Sequence, residues 1–345
     1  MAKIVYLMGA GASRGYRYSD KSGHKEQKPE DDIIEGLPVV SEIPDRLTYV
    51  LNILSDIQIE DSKYKIFKKE GAIDTKSWKN HILKDLEWLH DECQKHATID
   101  TFAKKLFLKH EFADFEKVKK LLAVYFTIEQ IINKSDARFD TFLANVLTEQ
   151  LAIPDDLCIV TWNYDSFFEL AFQEYIGKFK QSSEIGCYSI NDNVTNYDNA
   201  TIFKVNGTAS FDEWNSAAYF TSNPKEQLKN DFLVELIYGY YNDKTKLNFA
   251  WENENTSFDN EYFRAIQNRI KDATTLVVID YTFPFFNRKM DRWLLEQMPR
   301  LKQVYIQDIR AEMLRDNMEV VNRLGDKVNV FYKKNCDQFL LPPEL

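Results

Sequence analysis

A glycine-rich turn near the start of the sequence is the first place where residue types and spacing suggest chemistry. Gly9-Ala10-Gly11-Ala12-Ser13 directly follows an apolar segment, Lys3–Met8. Glycines two apart after a strand let the chain turn tightly and bring backbone N–H groups close to a diphosphate, and the Ser13 hydroxyl can donate to the same oxygens. An ordinary turn that needs glycine at positive φ would explain the same residues, so this motif alone leaves both interpretations open.

Two more apolar segments end in polar residues that could meet this turn. Leu157–Thr161 leads into Trp162-Asn163-Tyr164-Asp165, and Ile202–Val205 leads into Asn206-Gly207-Thr208. Because ligands of parallel sheets bind at the carboxyl ends of the strands, Asn163 and Asp165 are candidates to project into one crevice. The alternatives are helix capping, which we favour for Asp165 taken alone, and a plain turn at Asn206.

A fourth segment, Thr275–Asp280, ends in Tyr281-Thr282-Phe283-Pro284. The proline predicts the end of the strand, since it has no N–H to donate to a sheet. Thr282 is a candidate to hydrogen-bond a ribose or a phosphate.

Six segments rich in β-branched residues predict the strands of one sheet: Lys3–Met8, Leu157–Thr161, Ile202–Val205, Thr275–Asp280, Gln303–Gln307 and Lys327–Tyr332. Most are continuous apolar runs, which are typical of parallel strands covered on both faces. Helical patterns follow at Tyr164–Ile176, Arg288–Gln297 and Ala311–Arg323. We therefore predict an α/β fold with a Rossmann-like, mostly parallel, six-stranded sheet.

The long stretch between the first two predicted strands has a helical pattern. Apolar residues recur at helical spacing between Glu42 and Gln150, for example at Leu121, Tyr125 and Ile128. A further helical stretch is predicted at about 224–241, and the polar segment Gly15–Glu35 is predicted to be a mobile loop. We expect a single domain over residues 1–345, with a core of residues 1–41 and 151–345 and a helical insertion at 42–150.

The composition narrows the class of protein. Of the 345 residues, 44% are hydrophobic and 28% are charged, as in soluble globular proteins. The net charge of −10 argues against a general nucleic-acid surface, because phosphate binding needs clustered Lys and Arg. The four cysteines form no C-x-x-C pair, so neither a zinc ribbon nor a redox dithiol is expected, and no metal is expected as a cofactor. Since we see no secretory signal and no membrane-spanning stretch, we expect a cytoplasmic protein.

Taken in order, the four strand-end motifs resemble those of the sirtuin superfamily, in particular its divergent bacterial branch of anti-phage defence NADases. Gly9–Ser13 resembles the family's G-A-G-x-S, and Thr161–Asp165 resembles its T-x-N-x-D. Lys204-Val205-Asn206-Gly207 occupies the place of its K-x-H-G, and Val278–Pro284 resembles its late G-x-S strand end. Each motif is short, so the resemblance rests on four of them in the family's order over nearly the whole chain.

This resemblance implies NAD⁺ as substrate or ligand and cleavage of the bond between nicotinamide and ribose. Asn163 would hold the nicotinamide-side ribose or the attacking water, and Asp165 would recognise the carboxamide. Asn163 and Asn206 would occupy the catalytic positions. The residues expected to bind the cofactor are Gly9, Gly11, Ala12, Ser13, Asp165 and Thr282.

Three departures from the family pattern bear on activity. Asn206 stands where the family has its catalytic His, and an amide cannot take up a proton at neutral pH. General-base catalysis contributes about 10²–10⁴ in rate, so this change costs roughly 3–5 kcal/mol of barrier. Asp280 replaces a usual Gly and adds a negative charge near an anionic ligand. The paired cysteines of the deacetylase branch are absent from the sequence, which disfavours protein deacetylation.

Two functions remain open at this point. The leading hypothesis is an NAD⁺ hydrolase that yields nicotinamide and ADP-ribose, and the rival is a non-catalytic module that binds NAD⁺ or ADP-ribose or serves as a structural subunit. By resemblance, the expected partner is a second copy of the chain or a separate defence subunit, such as an ATPase or an Argonaute-like protein. No direct binding to nucleic acid or to a membrane is expected.

Overall fold

The computed structural model describes residues 2–15, 36–57, 65–66, 69–70, 75–133, 136–176, 186–192, 194, 196–211, 230–255, 258–311 and 328–345. The chain divides into two compact units. The first comprises Met1–Tyr16, Ser135–Thr208 and Asn248–Leu345, and the second comprises Arg17–Lys134 and Ala209–Leu247. The predicted loop Gly15–Glu35 lies outside the described residues, except for Gly15.

Strands and helices alternate along the first unit, which is the pattern of an α/β fold. The described strands are β1 (Ile4–Met8), β2 (Lys65–Ile66), β3 (Lys69–Glu70), β4 (Leu157–Thr161), β5 (Cys187–Ser189), β6 (Ile202–Lys204), β7 (Gly207–Phe211), β8 (Thr245–Leu247), β9 (Thr275–Ile279), β10 (Gln303–Gln307) and β11 (Asn329–Lys333). The described helices are α1 (Ala10–Arg14), α2 (Ile43–Asp56), α3 (Thr75–Lys95), α4 (Ile99–Leu108), α5 (Phe112–Ile132), α6 (Ala137–Val146), α7 (Phe167–Ile176), α8 (Asn230–Asn242), α9 (Glu261–Ile270) and α10 (Arg288–Glu296). Short 3₁₀ turns lie at Val40–Glu42, Ala250–Asn255 and Phe285–Asn287.

The central sheet has seven strands in the order β11-β10-β9-β1-β4-β6-β5. Every pairing within it is parallel. The predicted α/β, Rossmann-like class is confirmed, but the predicted count of six strands is one too few. The additional strand is β5, which has three residues and is therefore too short to stand out as an apolar run.

Burial explains why the continuous apolar runs form the centre of this sheet. Every residue of β1, β4 and β9 is buried, so both faces of these strands carry mostly apolar side chains, and the apolar residues follow one another without alternation. The edge strand β11 instead alternates between exposed and half-buried residues.

The direction in which successive strands are added to the sheet reverses at β1. If β5 is set aside, the chain progresses from β1 through β4 to β6 on one side and from β9 through β10 to β11 on the other. Met8 lies opposite Thr161 of β4 and opposite Ile279 of β9, so these three strands end at the same level. In doubly wound sheets, ligands bind outside the carboxyl ends of the strands at such a reversal.

The helix after β4 begins later than the pattern predicts. A helix is predicted over Tyr164–Ile176, whereas α7 begins at Phe167. The cause is Asp165, whose Oδ1 accepts the Phe167 N–H at 3.0 Å and so caps the helix. The helix predicted at Ala311–Arg323 lies outside the described residues, apart from Ala311.

The second unit is mainly helical. It holds α2, α3, α4, α5 and α8, whereas α6, which also falls within the predicted insertion 42–150, belongs to the first unit. Helix α8 covers the described part of the predicted stretch 224–241. An ion pair between Arg46 Nε and Glu129 Oε1, 2.9 Å apart and with both side chains 0% exposed, joins α2 to α5.

Candidate functional site at the carboxyl edge of the sheet

Ser13, Asn163 and Asp165 form one chain of hydrogen bonds at the carboxyl edge, called here the strand-end network. The Nδ2 of Asn163 donates to Ser13 Oγ at 2.7 Å, and Ser13 Oγ donates to Asp165 Oδ2 at 2.6 Å. Ser13, Asn163 and Asp165 are 3%, 8% and 6% exposed. Neighbouring strands deliver them, since Ser13 lies on α1 directly after β1 and the other two follow β4. The structure thus brings together three of the predicted site residues.

Asp165 is both a helix cap and a member of this network. Its Oδ1 accepts the N–H of Phe167, while its Oδ2 accepts the Ser13 hydroxyl. Burial raises the pKa of this carboxyl above its ordinary value, and the Lys204 charge and the hydrogen bonds from Ser13 and Phe167 act in the opposite direction. The capping role and a role in the site are therefore compatible.

Lys204, the last residue of β6, connects the end of that strand to the segment that follows β4. Its Nζ donates to the backbone oxygen of Asp165 at 2.6 Å and pairs with the carboxylate of Glu169 on α7. Burial by itself lowers the pKa of this lysine, but the Glu169 carboxylate, together with Cys187 and Asp165, raises it above its ordinary value. The ammonium form is therefore stable inside the protein. Neither Lys204 nor Glu169 is among the predicted site residues, although a lysine within the apolar run Ile202–Val205 is a signal of a buried partner.

Asn206 lies beside the strand-end network without being part of it. Its Nδ2 donates to the backbone oxygen of Trp162, the residue before Asn163, at 3.1 Å. Its Oδ1 is buried and has no hydrogen-bond partner among the described residues. An unpaired buried acceptor costs roughly 1–3 kcal/mol, so a bound donor would lower the free energy of this site.

Packing against the end of β9 explains both glycines of the first turn. A Cβ at Gly9 would lie 2.5 Å from the backbone oxygen of Asp280, and a Cβ at Gly11 would lie 2.7 Å from the Asp280 Cβ. Gly9 has a φ of −102° and Gly11 lies inside α1, so the interpretation that these glycines supply positive φ is wrong. The atoms that approach these two glycines closely belong to the protein itself. Ala10, between them, is exposed, and Gly11 is half-buried.

Arg138, on α6, joins the glycine turn to the end of β9. Its guanidinium donates to the backbone oxygens of Ala12 and Gly11 at 3.1 and 3.4 Å and to the Asp280 carboxylate at 3.3 Å. Its Nε also donates to Asp136 at 2.7 Å. Burial raises the pKa of Asp280 above its ordinary value, and the Arg138 charge acts in the opposite direction. No motif points to Arg138, because an arginine at the start of a helix carries no pattern of its own.

Thr282 stays apart from the strand-end network. It is half-buried, and no hydrogen bond of the described residues joins it to that network. Its neighbour Tyr281 is fixed in the core, where its hydroxyl donates to the Asp291 carboxylate at 2.8 Å and its ring stacks on Trp162 with centroids 5.7 Å apart.

Histidine is missing from the described part of this edge. His81, His90, His96 and His110 belong to the second unit, and His24 lies outside the described residues. Within the described ranges, no three His, Cys, Asp or Glu side chains are grouped as ligands of a metal ion would be. No helix in that part of the chain has the length and apolar character needed to cross a membrane.

No family model matches the sequence, and no curated protein matches it. The resemblance to the sirtuin superfamily therefore rests on the four strand-end motifs and their order.

Proposed function

We propose that the carboxyl edge of the sheet binds NAD⁺ and hydrolyses it to nicotinamide and ADP-ribose. The observation that carries this proposal is the strand-end network, in which Asn163 and Asp165 meet Ser13 across two neighbouring strands. In the sirtuin pattern these three residues serve the nicotinamide-side ribose, the carboxamide and the diphosphate. Converging amide, carboxyl and hydroxyl groups suit the hydroxyl, amide and phosphate groups of such a ligand.

The proposed reaction breaks the bond between the nicotinamide nitrogen and C1′ of the ribose, and the electron pair leaves with nicotinamide. Water forms the new C1′–O bond and releases its proton to solvent, since neither Asn163 nor Asn206 accepts one at neutral pH. Asn163 orients the ribose or the water, and the unpaired Oδ1 of Asn206 accepts a hydrogen bond from the same groups. These residues act by position and not by proton transfer.

A non-catalytic subunit that binds NAD⁺ or ADP-ribose is the second candidate. Asn206 favours it, because the loss of a general base lowers the rate by about 10²–10⁴. In this case the strand-end network binds the same ligand without turnover.

The resemblance to the defence branch adds to the proposal where the protein acts and with which partners. We place the protein in the cytoplasm in anti-phage defence, either as a homo-oligomer or with a separate subunit such as an ATPase or an Argonaute-like protein. Light scattering with and without NAD⁺ measures whether the chain assembles with itself.

Release of nicotinamide from NAD⁺ by the purified protein tests the hydrolase. We expect release by the wild type and its loss in Asn163→Ala. Asn145→Ala is a matched control, because the exposed Asn145 amide only donates to the Thr141 backbone oxygen on α6. Release that persists in Asn163→Ala would contradict the site.

Calorimetry with ADP-ribose separates the two candidates. Binding without nicotinamide release supports the non-catalytic subunit, and absence of both rejects the two candidates together. Asn206→His adds a base, so we expect it to raise the rate of release; an unchanged rate would mean that Asn206 is not at the reacting carbon.

A further inference from the structure

We infer that Arg138 compensates the charge of Asp280 beside the glycine turn, so that this pair sets how strongly the turn binds an anion. The inference rests on the proposed function, because it concerns the diphosphate of the same ligand. It assigns to Arg138 a positioning role and to Asp280 a role in ligand affinity.

Asp280 lies directly against the glycine turn. The place that a Cβ of Gly11 would take is 2.7 Å from the Asp280 Cβ and 3.3 Å from its Cγ. The Asp280 side chain is 13% exposed, so solvent screens its charge poorly. A diphosphate at this turn would therefore lie a few ångströms from a carboxylate. Like charges about 4 Å apart weaken binding about five-fold at the dielectric constant of water, and by more where screening is poor.

Arg138 is the cation placed between these groups. Its Nη1 is 3.3 Å from Asp280 Oδ2, and its Nη2 donates to the backbone oxygens of Ala12 and Gly11. The same guanidinium therefore binds the carboxylate and the backbone of the turn. Within the turn, Arg138 donates to carbonyl oxygens, so this contact does not occupy the N–H groups at the start of α1.

The surroundings of Arg138 keep it in this position. Its Nε is bonded to Asp136 and its Nη1 to the backbone oxygen of Cys336 at 3.2 Å, while its guanidinium carbon lies 4.8 Å from the centre of the Phe339 ring. With its side chain 6% exposed, the arginine cannot leave without breaking several contacts. One cation thus faces two carboxylates, and loss of the cation leaves two uncompensated negative charges.

A purely structural pair and a charge-compensating pair predict opposite changes in ligand binding when the Asp280 carboxylate is removed. If the pair only holds the turn in place, then removing either partner loosens the turn and weakens ligand binding. If Arg138 compensates Asp280, removing the carboxylate strengthens the binding of an anion, and removing the cation weakens it.

Titration calorimetry with ADP-ribose, on the full chain and at low and high salt, tests the inference. We expect Asp280→Asn to lower the Kd at least about five-fold and Arg138→Gln to raise it at least about five-fold, with both changes largely retained at high salt because the two side chains are poorly exposed. Asp155→Asn is the matched control for the change in charge, because Asp155 is 97% exposed and precedes β4 at the opposite edge of the sheet. If Arg138→Gln does not fold, Asp280→Asn and the charge-retaining Arg138→Lys, which we expect to stay within two-fold of the wild type, decide the test.

The outcomes separate this inference from the proposed function. A wild type that binds ADP-ribose, together with an Asp280→Asn variant that binds it equally or more weakly, would overturn the inference alone. A wild type that binds no ADP-ribose would overturn the proposed function and the inference with it.

Discussion

Asn163 Nδ2 lies 2.7 Å from Ser13 Oγ, although 150 residues separate the two in the chain. The contact follows from the register of two strands, because Met8 at the end of β1 lies opposite Thr161 at the end of β4. Each of the two residues comes within a few positions of its strand end. Backbone pairing between two strands thus determines a side-chain contact between residues far apart in the sequence. The Ser13 hydroxyl lies between Asn163 and Asp165 in the strand-end network.

Replacing Ser13 with Ala removes a hydroxyl that serves two buried groups. We expect Ser13→Ala to lower the free energy of unfolding by about 1–3 kcal/mol, because Asn163 Nδ2 and Asp165 Oδ2 both lose a partner. Urea denaturation measures the loss. Ser55→Ala is the control, since the exposed Ser55 hydroxyl donates only to the Leu51 backbone oxygen, and its expected effect is within about 0.5 kcal/mol. Equal losses in the two variants would contradict the prediction.

Removing one partner of the Lys204–Glu169 pair is expected to destabilise the protein strongly. Lys204→Met leaves a buried carboxylate alone, so we expect a loss of about 3–5 kcal/mol, and adding Glu169→Gln should cost less than the sum of the single changes. A double-mutant cycle by urea denaturation measures this coupling. The pair Lys95–Glu92, in which the lysine is exposed and the glutamate half-buried, is the control, with an expected coupling below about 1 kcal/mol. Additive effects at the buried pair would count against the prediction.

The centre of the sheet could be predicted from the sequence, but its edge could not. Strands β1, β4 and β9 are buried on both faces, which favours apolar side chains on both faces and so produces nearly continuous apolar runs. β5 spans Cys187–Ser189 and contains a serine, so no run of this kind marks it. Its position depends on pairing with β6, which is a tertiary contact.

The candidate site, like the sheet, could be predicted from the sequence only in part. Ser13, Asn163 and Asp165 could be found because the carboxyl ends of parallel strands meet at one edge. Arg138 could not be found, since it comes from α6, 127 residues from Gly11, and no periodicity links a helix start to a distant turn. The glycine turn could be recognised from the sequence, but the steric reason for its glycines is the contact with Asp280, which only the folded chain brings close.

Gly11 and Asp280 are expected to be coupled through this steric contact. A Cβ at Gly11 would lie 2.7 Å from the Asp280 Cβ, so Gly11→Ala should destabilise the protein by about 1–3 kcal/mol. Asp280→Gly in the same chain removes the opposing Cβ, and glycine also suits the φ of +48° at this position. We therefore expect the double variant to recover part of the melting temperature lost by Gly11→Ala. A double variant that melts below Gly11→Ala would argue against a clash at this contact.

Asp291 should make the stability of the protein depend on pH. Burial raises the pKa of its carboxyl well above the ordinary value of 3.8, and the hydrogen bond from Tyr281 acts in the opposite direction. Because the folded state keeps a proton that the unfolded state releases, the contribution of this group is fully present below its unfolded pKa and is lost as pH rises through its folded pKa. We expect the melting temperature of Asp291→Asn to rise relative to that of the wild type as the pH increases above the unfolded pKa of 3.8. Asn145→Ala is the control, because it removes an exposed amide that does not ionise, and its difference from the wild type should stay constant. A difference for Asp291→Asn that does not change with pH would refute this titration.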